Sequence, residues 1–168
     1  RRGVAATVIV EKIVGSLAEY GGSLEECKNL GDKVNKNSGS MGVAFSSCIV
    51  PAAGKPTFEL GADEMEFGVG IHGEPGRRRD KIKSAQEITN ELLNAIIEDL
   101  KPENKDEILL FVNGMGGTPL SELYLVYDNA KKILDNKKIR IARSLVGNYC
   151  TSLELSLIHI SEPTRQDR

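Results

Sequence analysis

Residues Glu107 to Val112 read EILLFV, an apolar run with no alternation of polar and apolar positions. A strand with one face in water alternates, so a run of this kind suits a strand buried on both sides. Asn113-Gly114-Met115-Gly116-Gly117 follows as a glycine loop. Thr118 then stands where a helix cap belongs, with Pro119 at the first helical position. The helix so opened is predicted to run to about Asn136, and Ile139 to Val146 reads as a last strand.

The rest of the chain alternates in the same way. Apolar residues recur at helical spacing from about Ala5 to Glu19, and Tyr20-Gly21-Gly22 stops them. Ser23-Leu24-Glu25-Glu26 is a capping box that opens a second helix to about Asn35, and Asn35 to Ser40 reads as a loop. Gly42 to Val50 is predicted as a strand, as is Met65 to Ile71. Arg77 to Lys83 reads as a basic linker, ahead of a second capping box, Ser84-Ala85-Gln86-Glu87, and an amphipathic helix carrying Ile88, Leu92, Ala95 and Ile96. Strands alternating with helices predict an α/β fold, a mixed sheet flanked by helices.

Composition narrows the function classes. The chain has 168 residues, 40% hydrophobic and 27% charged, with a net charge of -2, so it exerts no broad pull on nucleic acid or an anionic membrane. It has no Trp and few aromatics, which argues against a base-stacking platform. No apolar stretch is long enough to span a bilayer. Cys27, Cys48 and Cys150 are dispersed and form no C-x-x-C pair, so free thiols in a reducing cytoplasm are expected, with no metal site.

Residues from Ser156 onward change character. SLIHISEPTR, Ser156 to Arg165, looks like an adapter sequence translated as protein, so residues 156–168 are set aside as a non-native tail and 1–155 treated as the domain. His159 falls in that tail, which leaves His72 as the one native histidine. A three-histidine metal site, or a serine paired with another histidine, is excluded on that count.

His72 lies in GVGIHGEPG, Gly68 to Gly76. The first six residues fit G-x-G-x-x-G, but a dinucleotide site needs a helix directly after the glycines. Glu74-Pro75-Gly76 and the Arg77-Arg78-Arg79 run argue against one, and no Lys-Ser or Lys-Thr succeeds them to make a P-loop. Asn113 to Thr118 leads more directly into a helix N-terminus, yet it also lacks the lysine and reads more plainly as a turn. His72 itself reads either as an exposed turn residue or as a base or nucleophile to which flanking glycines give access. Glu74 is near enough to orient it. The basic run reads as a solvated loop or as a contact for an acidic, phosphate-bearing partner. Lys55 reads as a surface turn residue, and Cys48 and Cys150 as small buried groups.

SMGVAFSSCIVPAAGKPTFELGADEMEFGVGIHGEPG, LLFVNGMGGTPLSELYLVYDNA and RSLVGNYCTSLEL together resemble the substrate-binding K subunit of dihydroxyacetone kinase. The resemblance covers Arg1 to Leu155 and implies the C-terminal part of that subunit's K domain, the second domain of a two-domain fold. It implies that His72 is the catalytic residue, forming a covalent hemiaminal with dihydroxyacetone, with Gly70 and Gly73 beside the substrate. It implies a phosphoryl donor outside this chain, either ATP or a phosphotransferase-system partner with bound ADP and Mg, on a nucleotide-binding L subunit or a fused domain. It further implies a cytoplasmic homodimer. The family's other substrate loop, second histidine and acid-base aspartate are not in this sequence, so the fragment alone is expected to lack kinase activity and to leave apolar faces uncovered. A non-enzymatic relative that binds dihydroxyacetone and regulates transcription is the alternative.

Overall fold

The computed structural model describes residues 5–165 apart from 48, 50, 53, 57, 70–75, 104, 105 and 154, with the side chains of 157, 159 and 161–165 also outside the description. In chain order its elements are α1 (Ala6–Glu19), α2 (Leu24–Lys36), β1 (Ser38–Ala44), β2 (Glu64–Phe67), β3 (Arg78–Lys81), α3 (Ala85–Leu100), β4 (Glu107–Met115), α4 (Leu120–Asn136), β5 (Arg140–Thr151) and β6 (Leu157–Arg165). The strands form one sheet in the order β3-β2-β1-β6-β4-β5. β4 and β5 run parallel, and the other neighbours pair antiparallel, so the sheet is mixed as expected.

The unbroken apolar run now has its cause. Ile108, Leu110 and Val112 point into the main core with Leu92, Leu93 and Ile96 of α3 and Leu123, Val126 and Leu134 of α4. Phe111 and Leu109 point to the other face, where Ile9 of α1 and Val34 of α2 cover them. β4 is therefore covered on both faces, and both sets of alternate positions must be apolar. Both capping boxes form: Ser23 with Glu26 at α2, and Ser84 with Glu87 at α3.

Four expectations are corrected. The strand placed at Gly42 to Val50 begins at Ser38 instead, inside the segment read as a loop. Its small residues answer to packing: a side chain at Gly39 would sit 3.1 Å from both Ile96 and Leu100 of α3, tighter than ordinary contact, so glycine lets the strand lie close to that helix without displacing them. The linker at Arg77 to Lys83 contains β3, paired with β2 from Glu64↔Lys81 to Phe67↔Arg78. Thr118 does not cap α4. Pro119 holds the cap position with no side-chain bond, and the Thr118 hydroxyl lies 3.4 Å from that of Ser156. The last strand of the 1–155 region runs over Arg140–Thr151 instead of Ile139 to Val146.

The segment set aside as a tail also enters the fold. β6 lies between β1 and β4, in register from Ser38↔Pro163 to Ala44↔Leu157 on one side and at Val112↔Ile160 and Phe111↔Ser161 on the other. Ile158 and Ile160 are buried in the main core, which is why alternating apolar residues are drawn into that position.

Candidate functional site

Residues 68–77 connect β2 to β3, and the described residues at both ends of this connection form a tight stem. Gly68 has φ of 76°, a left-handed conformation that favours glycine, and its N–H donates to the Gly42 carbonyl at 2.7 Å. On the returning side the Arg77 N–H donates to the Phe67 carbonyl at 2.6 Å. The Gly76 N–H donates to Glu66 Oε1 at 2.7 Å, and Arg79 donates to Glu66 Oε2 at 3.2 Å. Met65 and Phe67 face the main core, so strand alternation sends Glu66 to the opposite side, where it bonds the far strand of its own hairpin.

The basic run is mostly neutralised where it stands. Arg78 lies 4.6 Å over the Phe67 ring and pairs with Glu91 of α3 and with Asp80. Lys83 joins the same group, 2.7 Å from both Asp80 and Glu91. The hydrogen bond from Lys83 holds the Asp80 carboxyl below its ordinary value, and the reverse contact raises Lys83. At Glu91 burial pushes upward, but hydrogen bonds from Lys83 and Arg78 outweigh it and hold the carboxyl low. Arg79 pairs with Glu64 and Glu66. This arrangement clasps the β2–β3 hairpin to the start of α3.

Val69, the last described residue before 70–75, belongs to a small apolar cluster with Ala44, Met115 and Leu155. The two glycine segments singled out in the sequence thus meet at one end of the sheet. In the one at the end of β4, the N–H groups of the last two glycines are already engaged within the protein. The Gly116 N–H already donates to Asn148 Oδ1 at 3.1 Å, and that of Gly117 to the Leu155 carbonyl at 3.1 Å. The stem amides at Gly68, Gly76 and Arg77 are likewise used internally. The next element after residues 70–75 is a strand, β3, so the pyrophosphate geometry of a dinucleotide loop is not built here.

His72, Gly70 and Gly73 lie outside the described residues, as do Glu74 and Cys48. Lys55 is exposed. Cys150 is half-buried, and burial pushes its thiol up, away from nucleophile character. Among the described residues no group of three or more His, Cys, Asp or Glu could hold a metal ion, and no helix is long and apolar enough to cross a membrane. Glu66 is not among the residues expected from the sequence. Its signal was a carboxylate between Met65 and Phe67 in an apolar strand, a position that demands a partner once the strand is buried.

A mixed sheet with helices on both faces and a glycine hairpin at one end defines an α/β domain, and comparison with known proteins places it. Residues 1–162 match the Dak1 domain, and the chain belongs to that family. It is 47% identical to the PTS-dependent dihydroxyacetone kinase 1, dihydroxyacetone-binding subunit DhaK of Listeria innocua, over 93% of this chain and 47% of that protein. It is 41% identical to human triokinase/FMN cyclase over 97% of this chain and 30% of that protein. Among solved structures, the dihydroxyacetone kinase operon co-activator Dha-DhaQ superposes with a TM-score of 0.90 at 34% identity, covering 97% of this chain and 50% of that one. The chain spans about half the length of the bacterial DhaK relatives it matches.

Proposed function

We propose that the protein carrying this chain is the substrate-binding subunit of a dihydroxyacetone kinase, and that His72 captures dihydroxyacetone as a covalent hemiaminal. The observation that carries this reading is the 47% identity to a DhaK dihydroxyacetone-binding subunit across 93% of the chain. In the capture step one imidazole nitrogen bonds to the ketone carbon. The carbonyl π pair moves to oxygen, which takes up a proton, and the ring releases its N–H proton, so the adduct is an isomer of the two reactants. Glycerol has no carbonyl and cannot react, so covalent capture discriminates by chemistry more than by pocket size. Gly70 and Gly73 would leave room beside the ring.

The captured ketone is then phosphorylated on a terminal hydroxyl to give dihydroxyacetone phosphate. The donor, ATP or a phosphorylated relay acting through bound ADP and Mg, belongs to an L-type subunit or a fused domain. A cytoplasmic homodimer is part of the same reading. The experiment is carbon-13 NMR of the full-length protein with dihydroxyacetone labelled at its carbonyl. An adduct signal from a tetrahedral carbon is expected, absent in His72→Ala. An adduct that survives His72→Ala overturns the assignment.

The similarity to Dha-DhaQ favours one second reading, a dihydroxyacetone-responsive co-activator with no transfer chemistry. A full-length protein that forms the adduct but yields no dihydroxyacetone phosphate, with either ATP or a phosphorylated relay supplied, would select that reading.

A further inference from the structure

We infer that Glu66 is a positioning residue for the segment that carries His72, a role that rests on His72 being the residue that captures the ketone. The hairpin has two ties on its returning strand just before β3. One, Arg77 N–H to the Phe67 carbonyl, is an ordinary strand contact. The other is a side-chain clamp: Glu66 Oε1 accepts the Gly76 N–H at 2.7 Å. Gly76 lies four residues after His72 and directly succeeds the last of residues 70–75. The clamp thus fixes the point at which the histidine segment rejoins the sheet.

The clamp is itself held in place. The Glu66 side chain is only 12% exposed, and its second oxygen takes Arg79 at 3.2 Å, so the carboxylate has charged or amide partners on both oxygens. A hydrogen bond to an ionised acceptor is stronger than a neutral one, and burial removes competing water. Gly76 is fitted to the clamp: a Cβ there would stand 2.7 Å from Glu66 Cγ and would also collide with the Phe67 carbonyl. On the outgoing side Gly68 is fixed in turn, its N–H donating to the Gly42 carbonyl of β1. A nucleophile that must meet a carbonyl carbon gains from such rigid ends, because small displacements cost capture efficiency.

The test uses the full-length protein, the labelled-ketone NMR experiment and three variants. Glu66→Ala should form the adduct with an apparent affinity about ten-fold weaker, the scale of a lost charge-assisted bond. Glu66→Gln keeps an oxygen acceptor for the Gly76 N–H and should stay within about three-fold of the parent. His72→Ala should form no adduct. Unliganded full-length protein supplies a measurement free of any folding defect: hydrogen exchange at the Gly76 amide should be strongly protected.

The outcomes separate the two readings. Adduct in His72→Ala overturns the covalent reading, and the role assigned to Glu66 falls with it. Loss in His72→Ala together with parent-like capture in Glu66→Ala overturns the Glu66 role alone. A Gln variant as weak as the Ala variant, or a Gly76 amide that exchanges freely, also overturns it.

Discussion

Asn113 is fully buried near the end of β4, and its amide bonds to one neighbouring strand, β5. Its Oδ1 accepts from the Tyr149 and Cys150 N–H groups at 2.9 and 3.0 Å, and its Nδ2 donates to the Cys150 carbonyl at 2.7 Å. The side chain thereby completes pairing between β4 and β5 where the register shifts between Asn113 and Met115. Asn113→Ala should lower unfolding free energy by about 3 kcal/mol, since it removes a buried amide and leaves the Tyr149 and Cys150 N–H groups and the Cys150 carbonyl without that partner. Asn113→Asp should recover little, because a buried carboxylate cannot donate to Cys150. Urea denaturation of the full-length protein measures both. In the sequence, Asn113 reads only as the first residue of a glycine loop. Its partners are 36 and 37 positions away, and no local pattern reports contacts at that range.

At the scale of elements, what the sequence revealed depended on how local the cause was. The two capping boxes lie within four residues each and were readable as written. β3 was not: Arg78-Arg79-Asp80-Lys81 has no apolar face, and it becomes a strand only because Glu64, Glu66, Glu91 and the Phe67 ring receive its side chains. β1 was misplaced for a related reason, since Ser38 to Gly42 is strand-forming only against α3 and its neighbouring strands. The ion cluster that fixes β3 to α3 predicts a pH dependence. Asp80 and Glu91 are held below their ordinary values, so their contribution is complete above the ordinary carboxylate range and is lost as pH falls through the lowered values. Lys83 is raised, so its share persists at neutral pH and is lost only on the alkaline side, above its ordinary value. Lys83→Met should therefore melt at a lower temperature than the parent at pH 7, with the gap closing as pH falls from 7 through the lowered carboxylate values. Thermal melts of the two proteins across that range decide it. A gap that is unchanged in acid would remove the cluster from the stability of the hairpin.

For the whole molecule, the central question is the strand at the middle of the sheet. β6 supplies the β-ladder contact between the β3-β2-β1 half and the β4-β5 half, and Ile158 and Ile160 occupy the core beneath α3. The segment stands apart in the sequence because of what it spells; the fold uses it because of what the position accepts. A gap between two strand edges asks for alternating apolar residues and a donor and acceptor at each step. Leu157 to Ile160 meets that demand, whereas Pro163 brings no N–H to a position between two neighbours. Pairing therefore reflects the shape of the gap and is silent on where the segment came from. Ending the chain at Leu155 should leave two unpaired strand edges and an opened core, and the truncated 1–155 chain should lose cooperative unfolding altogether. Ile160→Asp in the 168-residue chain, which keeps the backbone ladder but places a carboxylate at a fully buried position, should cost about 4 kcal/mol. Circular dichroism recorded through a thermal melt reads both. If the truncated chain melts as sharply as the 168-residue one, the two halves of the sheet must join without β6, and the main core must be held by α3 and α4 alone.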